Sequence, residues 1–164
     1  MININILDIT PDQYKKLIIY LLDGCDEISF QFPGIYDNGK PLTEAYWQNY
    51  HKSIKNLLND CYNHGAKKMY SKHYQGMHLG VYGVIIYVKP FASLKQMLLA
   101  NHLFDWLSEN NLPEDVCFYS NKKLRVFTCS HEEEIYLYNE TSKDIHFLTD
   151  NSFEFHLRKT GDDK

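Results

Sequence analysis

The sequence predicts a single-domain α+β fold in which about three helices pack on an antiparallel or mixed β-sheet. The chain has 164 residues, of which 44% are hydrophobic and 23% charged, and these values are typical of one globular domain. The near-continuous apolar stretch at 79–88, LGVYGVIIYV, is typical of a strand covered on both faces. The last third of the chain alternates apolar and polar residues between turn signals, as antiparallel hairpins do. We expect one domain over 1–158 and a frayed tail at 159–164.

The first 32 residues predict a strand, a helix and a second strand. Residues 2–6 alternate isoleucine with asparagine, which indicates a short strand. Thr10 and Gln13 have the T-x-x-Q spacing of a capping box, so a helix should begin there, and Gly24 should end it. Residues 27–32 alternate again and predict a strand with one solvated face.

A loop and a second helix follow. Residues 33–41 contain two prolines and an Asn-Gly turn signal, so they predict a surface loop that carries Tyr36. Residues 43–63 have the apolar spacing of a helix, with Tyr46 and Trp47 in its first turns. Aromatic side chains outside the core are typical of binding surfaces.

The middle of the chain predicts a hairpin and a third helix. The hairpin joins strands at 67–74 and 77–89, and its two-residue turn should set His73 opposite His78. The helix at 91–109 is apolar on most of its circumference, so one seam can pack on the sheet while a second seam needs another partner. The second seam consists of Leu99, Leu103 and Trp106. A homodimer, another protein or one of the other helices of this chain could cover it.

The C-terminal third predicts only strands. Turn signals occur at Asn121-Lys122 and at Asp150-Asn151. The predicted strands are 116–119, 124–129, 135–138, 145–148 and 153–157.

Charge and cysteine content limit the possible partners. The 21 acidic and 17 basic residues give a net charge of −4 without a basic stripe, which disfavours nucleic acid and favours a basic protein surface as partner. Apolar runs are too short for a membrane helix and the N-terminus lacks a secretory signal, so we expect a cytoplasmic protein without a membrane partner. The four cysteines lack C-x-x-C spacing and suggest free thiols, with a Cys117–Cys129 bridge as the main exception.

A metal site is one possible source of chemistry. Cys61 and His64 lie one helical turn apart, and His73 and His78 could be cross-strand neighbours. Thiolate and imidazole are ligands that zinc prefers. The alternative is structural: Cys61 lies on an apolar helix face, His64 can interact with a helix C-terminus, and the other two histidines can be solvated.

Catalytic motifs are absent from the sequence. There is no phosphate-binding glycine loop, G-x-S-x-G elbow or H-E-x-x-H helix. Cys129 lies near His131 and the acidic run at 132–134, but acidic neighbours raise the pKa of a thiol and make it a poor nucleophile. We therefore expect no catalytic residue and no cofactor.

The aromatic content, 15% of the chain with 13 tyrosines, favours a protein-binding function. The alternative is that a tyrosine-rich sheet covers its own solvated face. A toxin-neutralising or immunity-type inhibitor is one concrete form of the binding hypothesis, and a zinc-dependent hydrolase is the alternative from another class. The predicted interface residues are Tyr36, Tyr46, Trp47, Tyr74, Leu99, Leu103, Trp106, Tyr136 and Tyr138.

Overall fold

The structure, a computed structural model, has an α+β fold. It describes residues 2–5, 9–32, 52–74, 77–107, 110 and 112–157. Within these ranges, four α-helices accompany a single eight-stranded antiparallel sheet, which confirms the predicted class with one helix more than expected. The loop at 33–41, the helix start at 43–51 and the tail at 159–164 lie outside the described residues.

Some neighbouring strands of the sheet follow each other in the chain, and others come from distant parts of it. Its strands are β1 (Ile2–Asn5), β2 (Glu27–Phe32), β3 (Lys67–Tyr74), β4 (Met77–Val88), β5 (Glu114–Ser120), β6 (Lys123–Cys129), β7 (Glu134–Leu137) and β8 (Phe155–Leu157). The helices are α1 (Pro11–Asp23), α2 (Lys52–Asn63), α3 (Ala92–Ala100) and α4 (Ser142–Asp150), and two 3₁₀-helices cover Leu103–Asp105 and Ser130–Glu132. The strand order is β3-β4-β2-β5-β6-β7-β1-β8.

The two sheet faces have different surroundings. On β2, Ile28 and Phe30 belong to a core cluster that includes residues of all four helices, and we call this side the helix face. We call the opposite side the tyrosine face. Its residues are Ile85, Tyr87, Cys117, Tyr119, Leu124, Phe127, Cys129, Tyr136 and Tyr138. No residue of this second cluster comes from a described helix.

The predicted start of α1 is confirmed. The Gln13 backbone N–H donates to Thr10 Oγ1 at 3.3 Å, and the Thr10 N–H donates to Gln13 Oε1 at 2.9 Å. This reciprocal pair satisfies two donors that a helix start leaves free. The Gln13 amide also donates to the carbonyl of Asn151 at 3.0 Å, which joins the start of α1 to the end of α4.

The prediction that one face of β2 is solvated is wrong. Ser29 is 0% and Gln31 5% exposed, because this face of β2 is covered as well: their register partners Cys117 and Ile85 are also 0% exposed. Ser29 Oγ lies 3.0 Å from the hydroxyl of Tyr119, and Gln31 Nε2 donates to Asp115 Oδ2 at 2.6 Å. Buried polar groups of this kind need hydrogen bonds to offset the loss of water.

The β3–β4 hairpin agrees with the sequence. His73 and His78 are partners in the backbone register, as the two-residue turn requires. β4 lies between β3 and β2, and its last residues are covered on both faces. The buried residues are Val84, Ile85, Ile86 and Val88.

The single helix predicted at 91–109 is interrupted. α3 ends at Ala100 because Asn101 adopts an extended conformation, with φ −122° and ψ 130°. His102 then begins a separate 3₁₀-helix, where its ring accepts from the Phe104 N–H at 3.4 Å. The break turns Leu103 into the core, where it is fully buried.

The strand predicted at 145–148 is wrong, because these residues belong to α4. Thr141 caps this helix: Thr141 Oγ1 accepts from the Asp144 N–H at 3.4 Å, and the Thr141 N–H donates to Asp144 Oδ2 at 2.7 Å. Asp144 and Leu148, four residues apart on one helix face, are both buried. The strand that follows is shorter than predicted and begins at Phe155.

All four cysteines are free thiols. The possible Cys117–Cys129 bridge is not formed, because Cys117 pairs in register with Phe127. In the part of the chain that the structure covers, no helix combines the length and apolar character that crossing a membrane requires.

Candidate functional site

The structure divides the nine predicted interface residues into three groups. Tyr36, Tyr46 and Trp47 lie outside the described residues, and Tyr74 is described only as the end of β3. Leu99 is half-buried against the helix-face core, and Leu103 and Trp106 are completely buried in that core. Tyr136 and Tyr138 are half-buried on the tyrosine face. These last two side chains are partly exposed.

Alternation along β7 directs the two tyrosines to the same side of the sheet. Ile135 and Leu137 are buried in the helix-face core, so Tyr136 and Tyr138 point to the opposite face. The ring of Tyr136 stacks on Phe127 of the neighbouring β6, with ring centroids 6.0 Å apart and an interplanar angle of 14°. This stacking fixes one edge of an aromatic surface.

A β-bulge places buried carboxyl groups at one end of the tyrosine face. Asp115 has a φ of 51°, which is uncommon for a residue other than glycine. Its carboxylate accepts from Gln31 Nε2 at 2.6 Å and from the Ser130 backbone N–H at 2.9 Å. Burial raises the pKa of Asp115 above its ordinary value, and these hydrogen bonds offset the increase only in part. The adjacent Glu114 is 5% exposed, and its Oε2 lies 3.3 Å from His131 Nε2.

Three consecutive acidic residues border the same end of the sheet, and we call them the acidic rim: Glu132, Glu133 and Glu134. Glu132 and Glu133 are exposed in the turn between β6 and β7. Glu134 is half-buried and lies two residues before Tyr136, so both side chains project from one side of β7. Negative charge therefore adjoins the aromatic surface.

The thiol of Cys129 lies on the tyrosine face beside this acidic end. Burial, followed by the charge of Asp115, raises the pKa of Cys129 to about 11. A thiol is nucleophilic only as thiolate, so this environment is unsuitable for a catalytic cysteine. Cys25 has the same limitation, since burial and then Asp26 raise its pKa to about 12.

We therefore expect Cys129 to react with iodoacetamide at pH 7.5 about a hundredfold more slowly than free cysteine, because its thiolate fraction is lower by that order. The rate should rise about tenfold per pH unit up to pH 10. Mass spectrometry of peptides from timed reactions measures the rate at each cysteine. Alkylation of Cys129 as fast as free cysteine would contradict the raised pKa.

The four predicted zinc ligands fall into two separate pairs. Cys61 is fully buried near the end of α2, and the ring of His64 stacks on Phe91 with centroids 4.1 Å apart. β3 begins shortly after the end of α2, and His73 lies six residues further along this strand. Roughly 20 Å of extended chain therefore separates His73 from the start of β3, next to which Cys61 and His64 lie. Zinc ligands must lie within about 4 Å of one another.

Over the ranges that the structure describes, no group of three or more His, Cys, Asp or Glu side chains could hold a metal ion. Burial and the charge of Asp60 raise the pKa of Cys61 to about 12, which disfavours the thiolate that zinc requires. We therefore do not propose a zinc hydrolase.

A polar cluster on the other side of the sheet was missed by the sequence interpretation. Asp144, which is 1% exposed, accepts two bonds from Arg125 Nη2, to Oδ1 at 2.8 Å and to Oδ2 at 2.9 Å. Its Oδ1 also accepts from the Tyr20 hydroxyl at 2.7 Å. The register of the β5–β6 pair shifts at this point: Phe118 pairs with Val126, but Tyr119 pairs with Leu124. Arg125 is therefore an extra, unpaired residue of β6, and this allows its side chain to reach Asp144.

Comparison of the chain with protein-family models, with curated proteins and with solved structures found no match.

Proposed function

We propose that this protein is a protein-binding module that uses the tyrosine face and the acidic rim to contact a partner with a basic surface. The observation that supports the proposal is the position of Tyr136 and Tyr138: both are half-buried and lie on the same face of the sheet, to which the described helices contribute nothing. A toxin-neutralising or immunity-type inhibitor is the concrete form that we favour. Four free thiols suit the cytoplasm as its site of action.

The chemistry of this surface suits a protein partner. Tyrosine combines a large apolar ring with a polar hydroxyl and loses little side-chain entropy on binding. Burial raises the pKa of Tyr138 above its ordinary value, so its hydroxyl stays protonated and can act as a hydrogen-bond donor. Such rings at the centre of a contact, surrounded by charge, match the usual arrangement of interface core and rim.

The acidic rim should determine which partners bind. Among the described residues, no ion pair within 4.0 Å involves Glu132, Glu133 or Glu134. The net charge of −4 adds to their local negative potential. A basic partner would therefore associate faster at low salt than at high salt.

We predict that replacing both Tyr136 and Tyr138 with alanine weakens partner binding by about a hundredfold, because each ring at an interface centre contributes about 1–2 kcal/mol. The first candidate partners are the products of the two adjacent genes, each mixed as purified protein and followed by size-exclusion chromatography and calorimetry. The double variant Glu132→Gln/Glu133→Gln should mainly lower the association rate.

Tyr62→Ala is the matched control, because Tyr62 is 45% exposed on α2 and outside the tyrosine face. It should bind like the wild type. The proposal fails if neither adjacent gene product binds, or if the Tyr136→Ala/Tyr138→Ala variant binds a partner as tightly as Tyr62→Ala does. A homodimer through the tyrosine face would be seen as a concentration-dependent mass in sedimentation that this variant abolishes.

A further inference from the structure

A cleft of about 380 Å³ opens on the side of the sheet opposite the tyrosine face. It lies between the end of α1, the β5–β6 turn and the start of α4. We propose that this cleft binds a small organic phosphomonoester. The inference is independent of the protein-binding function, because the cleft contains neither Tyr136 nor Tyr138.

The floor of the cleft is apolar and belongs to the rigid core. Leu21 from α1, Val126 from β6 and Leu137 from β7 line it, and all three are buried. A floor made of core residues is preformed and offers contact to the carbon part of a ligand. The volume lies within the range of about 300–1,000 Å³ that is usual for small-molecule sites.

The rim of the cleft is cationic, although the whole chain is acidic. Lys123, Arg125 and Lys143 line it, and Asp144 is the only carboxylate among the described residues of its lining. Both Asp144 oxygens are hydrogen-bonded to Arg125, so this pair is neutral and the charges of the two lysines remain. In the described part of the chain, no carboxylate lies within 4.0 Å of the Lys123 or Lys143 ammonium.

One of these lysines is positioned by its surroundings. The Lys143 ammonium lies 5.6 Å from the centroid of the Tyr20 ring. The Tyr20 ring in turn stacks on Phe147, with centroids 3.9 Å apart and an interplanar angle of 6°. This stack holds the ammonium at the mouth of the cleft and does not neutralise it.

The two lysine ammonium groups, which have no carboxylate partner among the described residues, favour a ligand group with about two negative charges. A phosphomonoester carries such a charge near neutral pH, and a single carboxylate does not. The hydroxyl of Ser120 and the side-chain amide of Asn121 also line the rim and can donate to phosphate oxygens. The apolar floor favours an organic ester over inorganic phosphate. These features together select the ligand class.

Calorimetric titration with phenyl phosphate, inorganic phosphate and phenol tests the proposal at low ionic strength. We expect saturable one-to-one binding of phenyl phosphate, binding of inorganic phosphate that is about tenfold weaker, and no measurable binding of phenol. The Lys123→Gln/Lys143→Gln variant should bind phenyl phosphate about tenfold more weakly than the wild type.

The matched control is Lys67→Gln/Lys89→Gln, which removes the same charge from two exposed lysines that do not line the cleft and lie at β3 and after β4. Its affinity should stay within about twofold of the wild type, because both ammonium groups in the cleft remain. Far-UV circular dichroism of both variants verifies that they fold. The proposal is overturned if phenyl phosphate shows no saturable binding, or if the two double variants bind it equally well.

Discussion

Replacing Asp144 with alanine should lower the free energy of unfolding by about 3 kcal/mol. The substitution removes the acceptor of three side chains at once: Arg125, Tyr20 and the capping Thr141. The Arg125 side chain is only 26% exposed, so once Asp144 is removed its charge has neither a partner nor full solvation. The start of α4 also loses its capping box, which alone contributes about 1 kcal/mol. Urea denaturation followed by fluorescence measures the loss.

Asp150→Ala is the control for this prediction, because Asp150 is an exposed carboxylate at the other end of the same helix. Its effect should be within about 0.5 kcal/mol. Similar losses for the two variants would show that Asp144 has no special role. Asp144→Asn keeps the shape of the side chain and removes its charge. The pH dependence of its free energy of unfolding, compared with that of the wild type, provides a second measurement.

The contribution of Asp144 to stability should depend on pH in a defined direction. Burial by itself would raise the pKa of Asp144, but hydrogen bonds from Thr141, Tyr20 and Arg125 outweigh it and hold the pKa below its ordinary value. A carboxyl with a lowered folded pKa stabilises the fold fully above its unfolded pKa of about 4 and loses this contribution as pH falls. The difference in stability between wild type and Asp144→Asn should therefore be full at pH 7 and shrink below pH 4.

Local signals predicted much of the fold. The capping box of Thr10 and Gln13, the two-residue turn that pairs His73 with His78, and the alternation of β7 each depend on residues close in sequence, and the structure confirms all three. The break after Ala100 was missed because apolar periodicity continues through it. What ends α3 is an extended Asn101, and its carbonyl accepts from the hydroxyl of Tyr14 at 2.6 Å, a contact across 87 positions.

The helix α4 was missed for a different reason. Thr141 and Asp144 form a capping box, but the expected pattern has Glu or Gln at the third position, and aspartate is not part of it. The apolar residues Ile145, Phe147 and Leu148 also suit a short strand, so periodicity alone could not decide.

The functional surfaces were predicted only in part. Tyr136 and Tyr138 follow from strand alternation, because once Ile135 is buried its neighbours must face the other way. The pairing of Arg125 with Asp144 depends on an irregularity in the β5–β6 register, and hydrophobic patterns contain no information about it.

Replacing Trp106 with alanine should lower the free energy of unfolding by about 4 kcal/mol, although the sequence suggested that Trp106 belongs to a partner interface. The indole is 0% exposed, and its ring centroid lies 5.9 Å from that of Phe30 in the helix-face core. Removing it leaves a large cavity in a close-packed interior, and the core can collapse around it only in part. Urea denaturation measures the loss.

Trp106→Phe separates the ring from its polar atom. The indole Nε1–H finds no hydrogen-bond partner among the described residues, so phenylalanine removes an unsatisfied buried donor, whose burial costs about 1–3 kcal/mol, while it keeps most of the apolar contact. The net loss should therefore be only about 1 kcal/mol, and the variant should still bind any partner of the tyrosine face.

Leu157→Ala, at a side chain that is 61% exposed, should change stability by less than about 0.5 kcal/mol. If Trp106→Ala were as stable as Leu157→Ala but failed to bind a partner, Trp106 would be an interface residue after all, and its position in the core would be wrong.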